Sequence, residues 1–559
     1  MARKLRSNYP EGTSLWAVRR AQWRALGLTD EDMLKPKIAV VNTSSELAIC
    51  FSHLDEISKA VKDAIRAAGG LPFEIRTAAP SDFIHSAGRA GTYILPTRDL
   101  ITNDIEVQVG GAMLDGMVCL TSCDKTVPGH LMAAARLNIP TIMMVCGYQP
   151  SGSYKNHHMD IEEVFLGAGH HVAGKITLQE LKEMSDNAIL GPGVCSGMGT
   201  ANSMHIVCEA LGMSLPGGAP ILANSERMWD FARRTGARIV AMIEEDLRPR
   251  DIMTPEAFAN AAMAILAVSG SINCIKHLQA TAIEGKVDVD VYAQFEKLAN
   301  TIPVLSAVRP IGDTSIEAFE EAGGALALMK ELEQFVNKGA MTVSGKSVGQ
   351  NLADADASKN DAIRDVGHAL SNKPAIVIVR GSLAPEGGIV KLGLREGKRL
   401  TFSGTAICFP AADLAIKALT DGVIKPGHVV ILRGLGVQGG PGMGMASRVV
   451  FAIDGMNLGP EVAFVTDGQL SGLVNKGLVI GEVTPEAAIG GPLGLVEDGD
   501  HISIDIEART ANLDVPADVL AQRRAKFQKP VHKDEGWVSI YRRSVQPLSK
   551  GASLVDPGL

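Results

Sequence analysis

The sequence predicts an α/β protein: a doubly wound, parallel-sheet N-terminal domain followed by a smaller β-rich, barrel-like C-terminal domain. Three observations predict it. Short, uniformly apolar runs alternate with amphipathic helical stretches over the first 150 residues, the pattern of strand–helix–strand units. Glycine is abundant (59 residues) while aromatics make up only 4%, which favours tight turns and close backbone approaches over an aromatic-packed sandwich. Beyond the polar stretch 344–372 the runs become short, β-rich and punctuated by Gly, Pro and Asp. With 559 residues the chain is too long for one ordinary core, and the expected division is 1–370 and 371–559.

In chain order, residues 37–42 read as a buried strand, 53–69 as an amphipathic helix ending at Gly69-Gly70, and 71–76 as the next strand. Gly116 to Leu120 is a strand, His130 to Leu137 a helix and Pro140 to Cys146 a strand. Helices are expected over 196–211, 255–268, 314–336 and 411–420, and 344–372 reads as a linker. Strands are expected at 375–379, 428–432, 462–465 and 501–506. In doubly wound sheets, ligands bind beyond the C-terminal strand ends. Asn42–Cys50, Ala78–Asp82 and Thr121–Lys125 all follow strands.

The net charge of −8 and pI near 5.9 argue against a nucleic-acid partner. The polar, basic start lacks a secretory apolar core, and no run of about 18 apolar residues occurs. A cytoplasmic protein without membrane association is expected. Eight cysteines in this length are not a disulfide framework, and most should be small buried hydrophobes.

Three cysteine segments need separate weighing. Cys123-Asp124-Lys125 places thiol, carboxylate and amine together between a strand and a helix. A helix N-terminus there lowers a thiol's pKa; a surface loop with an incidental cysteine is an equal reading. Cys195 lies in Gly191-Pro-Gly-Val-Cys-Ser-Gly-Met-Gly199, where a Gly-rich backbone admits a bulky group and offers N–H donors to sulfur. Its bland alternative is a plain loop entering a helix. Cys50, between apolar neighbours, reads as core. Cys119, Cys146, Cys208, Cys274 and Cys408 read as packing. Asp82 and Asp467, at strand ends, read first as turn caps. The Gly-rich loop 434–444 lacks P-loop spacing. With no Cys-x-x-Cys pair, zinc ribbons are excluded.

In combination these segments resemble the dihydroxy-acid and sugar-acid dehydratase family, which includes phosphogluconate dehydratase. The resemblance covers roughly residues 30–510. It rests on Cys50 with His53-Leu54, Ser81-Asp82, Cys123-Asp-Lys125 with Pro128-Gly129, and Arg136-Leu-Asn-Ile-Pro140. It continues through Cys195-Ser-Gly-Met198 with Thr200-Ala-Asn-Ser-Met204, Phe402-Ser-Gly404, Gly439-Gly-Pro-Gly-Met443, Thr466-Asp-Gly468 with Ser471-Gly472, and Pro485-Glu-Ala487. The resemblance implies an iron–sulfur cluster on Cys50, Cys123 and Cys195, with 2Fe–2S favoured over 4Fe–4S. It implies magnesium near Asp82, Asp124 and a carbamylated Lys125, and Ser471 as catalytic base. The implied reaction takes a proton from C2 of a polyhydroxy acid and loses hydroxide from C3, giving a 2-keto-3-deoxy acid. A hard cation would neutralise the carboxylate, and an open iron would act as Lewis acid on the leaving hydroxyl. A homodimer or homotetramer is also implied.

Several positions depart from that pattern. Met445 stands where a magnesium-binding glutamate is expected, and a thioether is a poor ligand for magnesium. Gln469 replaces an arginine, Glu482 a histidine in a Gly-His pair, and Ile272 a threonine in Gly270-Ser-Ile-Asn273. Phe409-Pro-Ala-Ala412 replaces an acidic pair. The departures imply a less anionic or differently shaped substrate, weaker magnesium binding, or a paralogue that keeps its cluster without dehydrating. Retention of Ser471, Asp124 and Lys125 favours the dehydratase over a cluster-only protein.

Overall fold

The computed structural model describes residues 5–555 apart from 395–398, 442–445, 473 and 475. Met445 thus lies outside the described residues.

Four strands form the N-terminal sheet: β1 (Lys37–Asn42), β2 (Leu71–Arg76), β3 (Gly116–Thr121) and β4 (Thr141–Val145), all parallel in the order β2-β1-β3-β4. Every residue of β1, β3 and β4 is buried, as expected for parallel strands covered on both faces. The crossovers run outward from β1 to β2 and from β3 to β4 in opposite directions, so right-handed connections put their helices on opposite faces. Helix Leu54–Ala67 packs against Glu226–Glu245, and Gly236 permits the contact, because a Cβ there would lie 2.6 Å from the Val61 carbonyl oxygen. On the other face, helix Thr126–Leu137 packs against Ile94–Ile105 and Asn273–Gly285. The strand order reverses between β1 and β3, which makes the loops after these two strands the expected ligand site.

A short hairpin, β5 (Gly152–Tyr154) and β6 (His157–Met159), turns through Lys155 and Asn156, both at positive φ. The second sheet has eight strands: β7 (Ile376–Val379), β8 (Gly387–Lys391), β9 (Thr401–Phe409), β10 (His428–Leu432), β11 (Ala463–Thr466), β12 (Leu478–Thr484), β13 (His501–Asp505) and β14 (Thr510–Leu513). Their order is β14-β13-β9-β10-β11-β12-β8-β7, parallel from β9 to β12 and antiparallel outside. Arg380, just past β7, exchanges backbone hydrogen bonds of 2.9 Å with Arg509 and Ala511 beside β14, nearly closing the sheet into a barrel around Val379, Val429, Val465 and Ile502.

Three expectations change in detail. The helix expected from His130 begins at Thr126, directly after the Cys-Asp-Lys triplet. The helix expected over 314–336 is two, Ile316–Glu321 and Gly324–Glu331, separated at Gly323 with φ +109°. The expected linker contains a helix, Val348–Ala353, started by a Ser347–Gln350 capping box. Among the described residues, no helix is long and apolar enough to cross a membrane.

Candidate active site

The loops after β1 and β3 are tied together at the switch point. Ser122 Oγ donates to the Cys50 carbonyl, and Thr126 Oγ1 accepts from the Ser122 N–H at 3.1 Å. His53 Nε2 lies 2.7 Å from the Cys146 carbonyl oxygen and His205 Nε2 3.2 Å from that of Ser122. Burial pushes the His205 imidazole down to about 4, so both histidines serve as neutral struts rather than acid–base groups.

This scaffold brings the three singled-out cysteines together. The neighbouring Cys50 thiol, followed by burial, holds the Cys123 thiol well above its ordinary pKa. Burial, then Cys50, Asp124 and Asp160, raises Cys195 in the same way. Asn202 Nδ2 fixes the Cys195 loop by donating to the carbonyls of Cys195 (2.7 Å) and Gly197 (2.9 Å). Cys119, Cys146, Cys208 and Cys274 lie in the apolar core, and Cys408 is partly buried; they are packing residues, as their surroundings in the sequence indicate.

Beside the thiols, fully buried Lys125 lies 2.9 Å from Asp82 Oδ2 and 3.8 Å from Asp124 Oδ2. Burial alone would lower Lys125, but the two carboxylates outweigh it and hold it above the usual lysine value. Burial, then Asp82, pushes Asp124 up to about 7. Asp82 Oδ1 is buried without a donor. One ammonium therefore shares two carboxylates next to three thiols, a set short of positive charge. Bound cations stabilise thiolates and carboxylates in such a set.

A cavity of about 100 Å³ joins these groups to the C-terminal domain. Asp82, Cys123, Asp124 and Cys195 line one side; Ser447, Gln469 and Ser471 line the other. Ser471 follows β11, and its N–H donates to Ser447 Oγ at 2.7 Å. The Ser471-Gly472 turn sits on the start of helix Thr200–Ala210: a Cβ at Gly472 would lie 2.6 Å from Ser271 Oγ and 2.8 Å from the Thr200 nitrogen. Lys391 Nζ donates to the Gly472 carbonyl at 2.6 Å. Phe83, Phe165 and Phe451 form an apolar wall, with successive centroids 5.5 and 5.6 Å apart.

Sequence reasoning gave Thr200 only as part of a motif, with no role, and missed Ser447 and the phenylalanine row. Thr200 had a signal, since it opens a helix directly after the Cys195 loop. The phenylalanines are too far apart in sequence to reveal one wall. Asp467 is not the local turn cap that its strand-end position suggested: its carboxylate accepts from the N–H groups of the distant Gly434 (3.1 Å), Leu435 (2.9 Å) and Ala487 (2.9 Å), while Thr466 Oγ1 accepts from the Gly468 N–H at 2.9 Å. Glu486 accepts from Gln438 and Gly439, so the described part of the glycine-rich loop turns backbone N–H groups toward carboxylates.

Among the described residues, no three His, Cys, Asp or Glu side chains form a group able to hold a metal ion. Cys123 and Cys195 on one wall, with Cys50 beside Cys123, are of the donor type that holds an iron–sulfur cluster. The Asp82–Asp124 pair suits a hard divalent cation in charge and donor type.

The dihydroxy-acid/6-phosphogluconate dehydratase N-terminal family model matches residues 35–351, and its C-terminal counterpart matches 361–552. The chain is 41% identical to a dihydroxy-acid dehydratase of Pyrococcus abyssi over 96% of its length and 97% of the relative's. It is 39% identical to dihydroxy-acid dehydratase 1 of Methanosarcina acetivorans, over 97% of this chain and 98% of that one. A dihydroxy-acid dehydratase of Aquifex aeolicus is 38% identical over 96% and 97%. The chain belongs to the dihydroxy-acid/6-phosphogluconate dehydratase family.

Proposed function

We propose that the protein is an iron–sulfur hydro-lyase that converts a 2,3-dihydroxy carboxylic acid or sugar acid to the 2-keto-3-deoxy acid. Cys50, Cys123 and Cys195 would hold the cluster; Asp82, Asp124 and a carbamylated Lys125 would hold magnesium; Ser471 would be the base. The observation that carries this reading is one cavity in which Cys123, Cys195, Asp82 and Asp124 face Ser471 from the other domain. Residues 1–370 would thus supply the electrophilic side and 371–559 the base.

When bound, the cluster and the cation would supply Lewis acidity for the leaving hydroxyl and charge neutralisation for the carboxylate. The chain's own residues do the rest. Ser471, deprotonated in the field of nearby cations such as Lys391, accepts the C2 proton. The C2–H electron pair forms the C2–C3 double bond as the C3–O bond breaks. The departing hydroxide takes up a proton and leaves as water, and the enol takes a proton at C3 while its C2 hydroxyl releases one, giving the keto acid. The phenylalanine wall excludes water and favours a dihydroxy acid with an apolar tail over a fully hydroxylated sugar acid. The loss of arginine at Gln469 removes a partner for a second anionic group, which disfavours a phosphorylated sugar acid.

The test of the cluster is iron and sulfide content after anaerobic purification. The wild type should be brown and iron-loaded, and Cys50→Ser, Cys123→Ser and Cys195→Ser should each be depleted. A colourless, iron-free wild type would refute the cluster, and iron retained in all three variants would refute the ligand set.

A further inference from the structure

Glu482, one of the departures from the family pattern, meets the helix that begins in another, Gly270-Ser-Ile-Asn273. Glu482, in β12, forms an ion pair with Lys276 of helix Asn273–Gly285, and both side chains are wholly buried. Lys276 Nζ also donates to Asn273 Oδ1 at 2.6 Å. Asn273 Nδ2 then donates in two directions, to Thr200 Oγ1 at 3.0 Å and to the Leu470 carbonyl at 3.1 Å. Thr200 lies beside the Asp124 carboxylate and favours its charged form, and Leu470 immediately precedes Ser471. The Glu482 N–H donates to the Gly468 carbonyl at 3.1 Å, on the same loop.

Glu482 is an expensive residue to keep. Its φ of +56° is a left-handed conformation unfavourable for a residue with a side chain, and its Oε2 is buried without a partner. A buried ion pair is a weak stabiliser, because desolvation offsets the attraction, and an apolar pair of similar volume often does as well. Its geometric effect is specific. An amide presents an acceptor on one side and donors on the other. An ammonium at 276 accepts nothing, so it fixes the Asn273 oxygen toward itself and the NH2 group toward Thr200 and Leu470. Without it, the amide is free to turn its oxygen toward the Leu470 carbonyl, and the contact becomes repulsive.

We propose that Lys276 and Glu482 are positioning residues: acting through Asn273, they lock the Ser471 loop against Thr200 and Asp124. The proposal rests on Ser471 being the base, as argued above.

The test compares Lys276→Met, Lys276→Gln, Glu482→Gln, Asn273→Ala and the Asn273→Ala/Lys276→Met double variant. Lys276→Met should lower kcat about 10- to 100-fold, as expected when a reacting group is displaced slightly, with KM changed less than about twofold. Lys276→Gln, which still donates to Asn273, should recover part of that loss. The double variant should be no worse than Asn273→Ala alone. Independently of activity, amide hydrogen exchange over 468–474 should accelerate in Lys276→Met while iron content stays at the wild-type level. Should Lys276→Met fail to fold, Glu482→Gln, which conserves volume, should show the same signs at smaller size. Unchanged kcat and unchanged exchange in a folded variant, or multiplicative losses in the double variant, would overturn the proposal. If the wild type forms no keto acid, it is the assignment of Ser471 as base that falls, and the exchange measurement alone decides the clamp.

Discussion

Two pairs of carboxylates sit beyond strand ends in this molecule, and the fold treats them in opposite ways. Asp467 and Glu486, in the C-terminal domain, accept hydrogen bonds from backbone N–H groups on both oxygens. Asp82 and Asp124, in the N-terminal domain, share one ammonium, and Asp82 keeps an oxygen without a donor. Burial raises the pKa of Asp467, of Glu486 and of Asp124, so a raised pKa does not separate the pairs. What separates them is what remains unmet: the C-terminal acids are satisfied by the loop they hold, whereas the N-terminal acids face a cavity beside three thiols and still need positive charge. The first arrangement builds a scaffold, and the second leaves an acceptor unmet.

The sharpest way to break the comparison is to remove the group that faces the N-terminal acids. Ser471→Ala should lower kcat by about 10²–10⁴-fold, the usual range for losing a general base, with iron content unchanged. Near-normal turnover would remove Ser471 from the chemistry. Next come the paired substitutions Asp82→Asn and Asp467→Asn. Asp82→Asn still accepts from the uncarbamylated Lys125 ammonium, so the stability of the metal-free protein should change by less than about 1 kcal/mol, while activity should drop about 10- to 100-fold through the altered carboxylate pair proposed to hold magnesium. Asp467→Asn should do the reverse, costing about 1–3 kcal/mol by turning an NH2 group toward backbone donors, with the smaller effect on kcat. Equal patterns in denaturant midpoints and kinetics would erase the distinction.

The smallest effect is a pH dependence. Glu486, raised by burial to about 7 from an ordinary value of 4.5, holds in the folded state a proton that the unfolded chain releases. Its contribution therefore favours folding below about pH 4.5 and is lost progressively as the pH rises toward 7. Glu486→Gln should remove this slope, flattening the fall in stability between pH 5 and 8 by about 1–3 kcal/mol. Identical slopes in the two proteins would contradict it.

The sequence made the sheet legible because β1, β3 and β4 are buried on both faces and read as unbroken apolar runs. Cys123 and Cys195 were visible as thiols in polar or glycine-rich turns. Cys50 was not, because its neighbours Ile49 and Phe51 make it resemble core, and only the family pattern singled it out. Asp82 and Asp467 looked alike because, from its neighbours alone, a strand-end aspartate reads as a turn cap; the partner that distinguishes Asp82, Lys125, is 43 residues away. The Lys276–Glu482 pair spans 206 residues, and of its two ends the sequence marked only Glu482 as a departure. Local pattern reveals which segments are strands and turns, whereas the site depends on contacts between loops distant in sequence.

The most direct measurement is 2-keto acid formation by anaerobically purified, iron-loaded protein across 2,3-dihydroxy acids with apolar tails and sugar acids. The account predicts product from an apolar-tailed dihydroxy acid and much less from sugar acids. An iron-loaded wild type that forms no keto acid from any of them would contradict it.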